Sequence, residues 1–374
     1  MAEVKEIVRD VPEGLQTGLR NYWYPVLQSH ELLDKPVAIR YLGEDLVVWR
    51  DGSGRAHVFP DYCPHRTTRL SIGSVVGDAL QCIFHGLRFD GSGRCVFVPW
   101  EPPDRPAPTT LGARSYPVEE VRGLIFAYLG DEQQFPPPPA REELPAELWD
   151  DDYVGYVMTE MWDANWLLAQ DGADQFHVPI LHAQSTAETN NGAPQEVPRA
   201  AGYGDDDRRM RVSGDSRVLM VDAVGADGNP IFTGQRAEAD YEAEGFHLPA
   251  LLCLSIQARR DSRPYHINLW MFPIDEHHTR VTRYISRRAT TPAEREEWDR
   301  FYHEVVYPRT LQVSAEDHRV AAAQRGLLFS RTHERIFAPD REIYARRLLL
   351  RDAFLAQSKG ERLAPELRGS RRAP

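Results

Sequence analysis

Cys63-Pro64-His65-Arg66 and Cys82-Ile83-Phe84-His85-Gly86, with sixteen residues between His65 and Cys82, decide how the N-terminal part of the chain is read. Each stretch offers one soft thiolate and one imidazole. Four such ligands on two turns suit zinc or an iron–sulfur cluster. Structural zinc favours paired cysteines in one knuckle, whereas each pair here is mixed, Cys-x-His and Cys-x-x-His. Mixed pairs fit a [2Fe–2S] cluster in which one iron takes Cys63 and Cys82 and the other takes His65 and His85. Cys95 and Cys253 stand alone in apolar strand-like text and read as buried free thiols.

The text around this motif is all-β. Residues 22–60 break into short strands, among them Val37–Tyr41, Leu46–Trp49 and Ala56–Pro60, divided by Gly43-Glu44-Asp45 and Asp51-Gly52-Ser53-Gly54. The same grammar returns at Leu87–Val98 around Asp90-Gly91-Ser92-Gly93, and Gly123–Leu129 adds a last strand. Residues 1–130 therefore form a small all-β domain with its N-terminal segment. Residues 131–150, with Pro136 to Pro139, form a stiff connector. Residues 151–360 mix a helix near Asp163–Phe176, strands around 217–235, 250–258, 264–273 and 279–289, and helices over 292–326 and 340–357. Residues 361–374 read as a disordered tail. The fold class is α+β, a small all-β domain followed by an antiparallel sheet with helices.

Composition bounds the rest. With 374 residues, 42% hydrophobic and 27% charged, the chain is an ordinary globular one of more than one domain. Its 44 basic and 56 acidic residues leave −12, so nucleic acid is not an expected partner. Met1–Leu15 lacks the continuous apolar core of a secretory signal, and no apolar run approaches membrane-spanning length, so a cytoplasmic protein is expected. Four cysteines are too few for a disulfide framework.

A second constellation lies beyond the connector, in Asp174-Gln-Phe-His177-Val-Pro-Ile-Leu-His182. Asp174 and His177 share one face of a helical turn, and Pro179 ends that helix so that His182 swings back toward His177. Two imidazoles and one carboxylate make the facial triad of non-haem Fe(II) oxygenases. Glu316, Asp317 and several nearer acids are candidates for the carboxylate, and spacing does not choose among them. Phe176, Ile180, Leu254, Ile256 and Trp270 are candidates for an apolar pocket.

The chain resembles the α subunits of Rieske non-haem iron oxygenases, the aromatic-ring hydroxylating family, and most closely their carbazole-type terminal oxygenases. The resemblance runs through the two Cys/His loops, Arg20-Asn-Tyr-Trp-Tyr-Pro, Tyr116-Pro-Val-Glu-Glu, Tyr128-Leu-Gly, the Asp174–His182 block, Phe272-Pro-Ile-Asp-Glu and Ala315-Glu-Asp317. It implies a Rieske [2Fe–2S] cluster on Cys63, His65, Cys82 and His85, and mononuclear Fe(II) on His177, His182 and Asp317. It implies that Asp174 is the bridging aspartate, between His177 and the His85 of a neighbouring subunit. Gly172 and Val313 fall on substrate-facing positions. Four residues separate His177 from His182, one more than in carbazole-type members.

The activity implied is a terminal oxygenase, taking electrons from an NAD(P)H-dependent reductase, usually through a ferredoxin. With O2 it would mono- or dihydroxylate a small apolar aromatic, heteroaromatic or polycyclic substrate. Oxidative demethylation and steroid hydroxylation are alternatives within the family, and a Rieske electron carrier without a second metal lies outside it. The resemblance further implies a homotrimer. Between Tyr62 and Arg94 four arginines face two aspartates, a basic rim that would steer an acidic redox partner.

Overall fold

The computed structural model describes residues 11–102, 105, 107–172, 177–185, 217–218, 245–256, 262–335 and 340–365. Its chain divides into two compact units, Arg20–Ala140 and the described parts of Met1–Leu19 with Arg141–Pro374.

The described residues of the first unit form ten strands: β1 (Tyr22–Gln28), β2 (Val37–Tyr41), β3 (Glu44–Arg50), β4 (Ala56–Pro60), β5 (Ser74–Val76), β6 (Ala79–Gln81), β7 (Arg88–Asp90), β8 (Cys95–Phe97), β9 (Val118–Val121) and β10 (Leu124–Leu129). They pair antiparallel as β1-β10-β9, β2-β3-β4 and β5-β6-β7-β8. Val47, Trp49, Phe59, Leu70, Leu80 and Phe89 form one apolar core, and Cys63 and Cys82 belong to it. Burying each such side chain contributes about 1.5–3 kcal/mol. The prolines expected to lie in a connector run along this unit, where the Trp23 indole donates to the Pro138 carbonyl at 3.0 Å.

Among its described residues, the second unit is built on a six-stranded antiparallel sheet. Its strands are β11 (Tyr153–Trp162), β12 (Arg217–Val218), β13 (Gly245–His247), β14 (Leu251–Ile256), β15 (Tyr265–Pro273) and β16 (Thr279–Arg288), in the order β11-β16-β15-β14-β13-β12. Gly155 on β11 lies under the Tyr284 ring, where a Cβ would sit 2.4 Å from it, so only glycine allows this pairing. The helices are α1 (Ala140–Glu143), α2 (Trp166–Asp171), α3 (Val178–Leu181), α4 (Pro292–Phe301), α5 (Tyr307–Ala323), α6 (Leu327–His333) and α7 (Arg341–Ser358). Trp298 and Tyr302 pack with Met158, Tyr265 and Ile285 on one side of the sheet. No described helix is long and apolar enough to cross a membrane.

Three local readings differ from expectation. The single helix expected over 292–326 is interrupted by a π turn at Tyr302–Val306. Pro308 in the first turn of α5 has no N–H to donate to the preceding turn, and the wider π geometry comes immediately before it. The helix expected through Phe176 ends at Asp171, and Pro179 opens α3 rather than closing a helix. Pro tolerates the first turn because its missing N–H has no intrahelical partner there. The tail, expected to be disordered from Glu361, is held at Arg362, whose guanidinium pairs with both oxygens of the buried Glu143 carboxylate.

Candidate metal centres

The two Cys/His loops share one backbone design. The Cys63 N–H donates to the Thr68 carbonyl at 2.8 Å and its carbonyl accepts from Thr67; Cys82 donates to Leu87 at 2.9 Å and accepts from Gly86. Closing each loop puts its fifth residue in the left-handed region, Thr67 at φ 56° and Gly86 at φ 73°. Both thiols are buried, unbridged and adjacent. The imidazoles point outward, His65 exposed and His85 half-buried, with ring centroids 4.7 Å apart.

Burial pushes the Cys63 thiol up to about 11, with the neighbouring Cys82 adding to the shift. A thiol so placed stays protonated until a cation takes it as a thiolate. Slight desolvation, with the His65 and Arg66 charges, lowers the His85 pKa and favours the neutral ring that ligates metal. The donor set thus fits a cluster with its sulfur ligands inside and its imidazoles at the surface.

The second centre forms at one end of the six-stranded sheet. Asn165 caps α2, accepting from the Leu167 N–H at 3.0 Å, while its amide donates to the Gln16 and Glu276 carbonyls. α2 is almost wholly buried and delivers the chain to Gly172. His177 and His182 then flank the single turn of α3. Their Nε2 atoms lie 3.1 Å apart, and Asp317 Oδ1, from α5, lies 3.5 Å from His177 Nε2 and 3.0 Å from His182 Nε2. Three facial donors about 2.1 Å from one octahedral ion would stand roughly 3 Å apart. Among the described residues, no other trio of His, Cys, Asp or Glu meets so closely.

Burial raises the Asp317 pKa, but the His177 and His182 rings beside it outweigh that and hold the carboxyl below its ordinary value. The buried Arg283 guanidinium adds its charge nearby, itself held by Glu160 at 3.1 Å and the Ser314 hydroxyl at 2.7 Å. Glu316, the rival acid, does not face the donors. Its Oε2 takes the far nitrogen of His182, Nδ1, at 2.6 Å. Asp174 lies outside the described residues, as does Phe176.

The triad opens on a cavity of about 680 Å³. β14 contributes Leu252, Leu254 and Ile256, and β15 contributes Tyr265, Ile267, Leu269 and Met271. These are alternate residues on paired strands, with Leu254 opposite Ile267 and Ile256 opposite Tyr265. Trp270, expected in the pocket, has the opposite parity and is buried outside the cavity lining, and Ile180 is 67% exposed. α5 supplies Arg309, Val313 and Asp317 at four-residue spacing. Gly172 also reaches the wall. Arg283, Arg309 and Tyr265 escaped the sequence reading, although strand alternation in 252–256 and 265–271 marks most of the apolar wall.

The profile of the Rieske [2Fe–2S] domain matches residues 22–117, and that of the homotrimeric ring hydroxylases matches residues 128–354. The chain is 31% identical to the tert-butanol monooxygenase / tert-amyl alcohol desaturase oxygenase subunit of Aquincola tertiaricarbonis, over 73% of this chain but only 58% of that protein. It is 27% identical to the terminal oxygenase component of carbazole 1,9a-dioxygenase from Metapseudomonas resinovorans, over 83% and 85% of the two chains. The solved oxygenase of the reduced oxygenase–ferredoxin complex of carbazole 1,9a-dioxygenase superposes with a TM-score of 0.72 at 23% identity, covering 93% of each chain, which establishes a common fold. With both halves matched in order, the chain belongs to the homotrimeric ring hydroxylases and carries a Rieske [2Fe–2S] domain ahead of their characteristic domain.

Proposed function

We propose that the protein is the terminal oxygenase of a multicomponent system, hydroxylating a small apolar aromatic, heteroaromatic or polycyclic substrate with O2 and electrons from NAD(P)H. The carrying observation is the convergence of His177 Nε2, His182 Nε2 and Asp317 Oδ1 on a largely apolar cavity in a chain with a Rieske domain. Cys63, Cys82, His65 and His85 hold the cluster; His177, His182 and Asp317 hold the iron. When bound, these groups supply single electrons and O2 chemistry respectively.

The chain's own residues do the remaining work. The leucine and isoleucine rows of β14 and β15 take up an apolar ring system and exclude water from the reacting carbon. Val313 and Gly172 shape the wall beside the triad. Asp174 links His177 to the partner subunit's His85 across a ring of three subunits, and a ferredoxin or reductase docks on the Rieske side. The cytoplasm, which holds reduced nicotinamide cofactors, is the compartment that this reading implies.

The test pairs a substrate panel with iron analysis. Wild-type protein with its electron donors should consume NAD(P)H in response to particular arenes, heterocycles or polycycles, and contain about three irons per chain. Asp317→Ala should keep the Rieske absorption, fall to about two irons per chain and form no product. Wild-type turnover by Asp317→Ala would exclude this assignment.

A further inference from the structure

Glu316 and Asp317 are adjacent on α5, where successive side chains diverge by about 100°. They nevertheless meet the same imidazole, from opposite ends. Asp317 Oδ1 lies 3.0 Å from His182 Nε2, and Glu316 Oε2 lies 2.6 Å from His182 Nδ1. The Glu316 carboxylate is itself held. The Ser185 hydroxyl donates to Oε2 at 2.8 Å, and the Gln312 amide approaches Oε1 at 3.4 Å from one turn earlier. His182 is only 3% exposed, so little water competes for either ring nitrogen.

An imidazole that ligates a metal is neutral and carries one proton, and here a carboxylate faces each of the two His182 nitrogens. A proton on Nε2 would be accepted by Asp317, tying two of the three donors to each other instead of to a metal. A proton on Nδ1, donated to Glu316, leaves the Nε2 lone pair directed at the other donors. The shorter contact is the one to Glu316.

We propose that Glu316 is the positioning residue of this centre: it holds the His182 proton on Nδ1 and fixes the ring, and Ser185 fixes Glu316. The proposal rests on the reading of His177, His182 and Asp317 as an iron site. Carboxylates in this relation to a ligating histidine orient the ring and strengthen it as a ligand, and their loss typically weakens metal binding 10- to 100-fold.

The experiment uses the cluster-loaded oxygenase, stripped of mononuclear metal and titrated anaerobically with Fe(II), then with Co(II) for its visible ligand-field spectrum. Glu316→Ala should bind Fe(II) about 10- to 100-fold more weakly with Rieske absorption and EPR unchanged. Glu316→Gln, which keeps an acceptor oxygen, should recover most of that loss and give the wild-type Co(II) spectrum, and Ser185→Ala should lose less than Glu316→Ala. Wild-type affinity in Glu316→Ala would overturn the role of Glu316 alone. A Co(II) spectrum altered in Glu316→Gln would make Glu316 a ligand and overturn the proposal. Wild-type protein that takes up no Fe(II) beyond its cluster would overturn the iron site and this proposal together.

Discussion

Asp51 and Asp90 open the same five-residue turn, Asp-Gly-Ser-Gly-Arg, at 51–55 and 90–94. In each, one carboxylate oxygen accepts from the serine N–H (2.9 and 3.0 Å), the serine hydroxyl (2.6 Å in both) and the arginine N–H (3.0 and 3.1 Å). Asp51 adds His57, whose Nε2 lies 2.8 Å from its other oxygen. Burial raises the Asp51 pKa, but Ser53, His57 and Arg55 outweigh it and hold the carboxyl far below its ordinary value. A depressed folded pKa gives stability that is complete above the ordinary carboxylate range, about pH 4, and is lost as pH falls toward the folded value. Asp51→Asn should therefore cost about 1–3 kcal/mol at pH 7 and about 1 kcal/mol less at pH 3, about one unit below the ordinary carboxylate value. Urea midpoints of the two proteins at both pH values decide it; a gap that does not narrow on acidification counts against this account.

At the scale of elements, one largely buried carboxylate joins three helices of the second unit. Asp171, the last residue of α2, takes Arg331 of α6 at 2.6 Å and Arg347 of α7 at 2.8 Å, and Arg347 also pairs with Glu334 at 2.6 Å. Burial raises the Asp171 pKa, and the two guanidinium charges more than reverse it. Removing one partner of a buried ion network leaves charge uncompensated, so Asp171→Ala should destabilise this unit by about 3–5 kcal/mol. Chemical unfolding of the purified variant checks it, and a change below about 1 kcal/mol would mean that solvent reaches the pair. This tie was illegible in sequence, because Asp171 and Arg347 are 176 residues apart. β11 also escaped: its ten residues are mostly half-buried and show no clean alternation.

For the whole molecule, head-to-tail rings of three would set the cluster of one subunit beside the iron of the next. Such a ring can be tested with two inactive variants, His85→Ala, which lacks a cluster ligand, and Asp317→Ala, which lacks an iron ligand. In random mixed assembly about three-quarters of rings contain both, and each of those has one junction joining an intact cluster to an intact iron site. About a quarter of sites should therefore recover activity when the variants are co-expressed. Transfer within single chains predicts no recovery, so inactivity in proven mixed trimers would exclude the inter-subunit route.

By itself the sequence determined the features whose partners lie within a few residues. The Cys63 and Cys82 loops close on their own backbones, the two Asp-Gly-Ser-Gly-Arg turns fill their own hydrogen bonds, and His177 and His182 sit on either side of one helical turn. Local chemistry of this kind survives in any fold that leaves the segment intact. Spacing alone left the acid open and the family resemblance pointed to Asp317, but only the tertiary structure decided what meets the far side of His182, because Glu316 reaches it across 134 residues and the choice is a rotation of α5 about its axis. The cavity wall is divided between the two: Leu254 and Ile256 could be picked out from the sequence, whereas which residues of the neighbouring strand stand beside them could not. The parity of Leu254 against Ile267 follows from strand register, and register is set by pairing with the neighbouring strands rather than by any one strand's own residues.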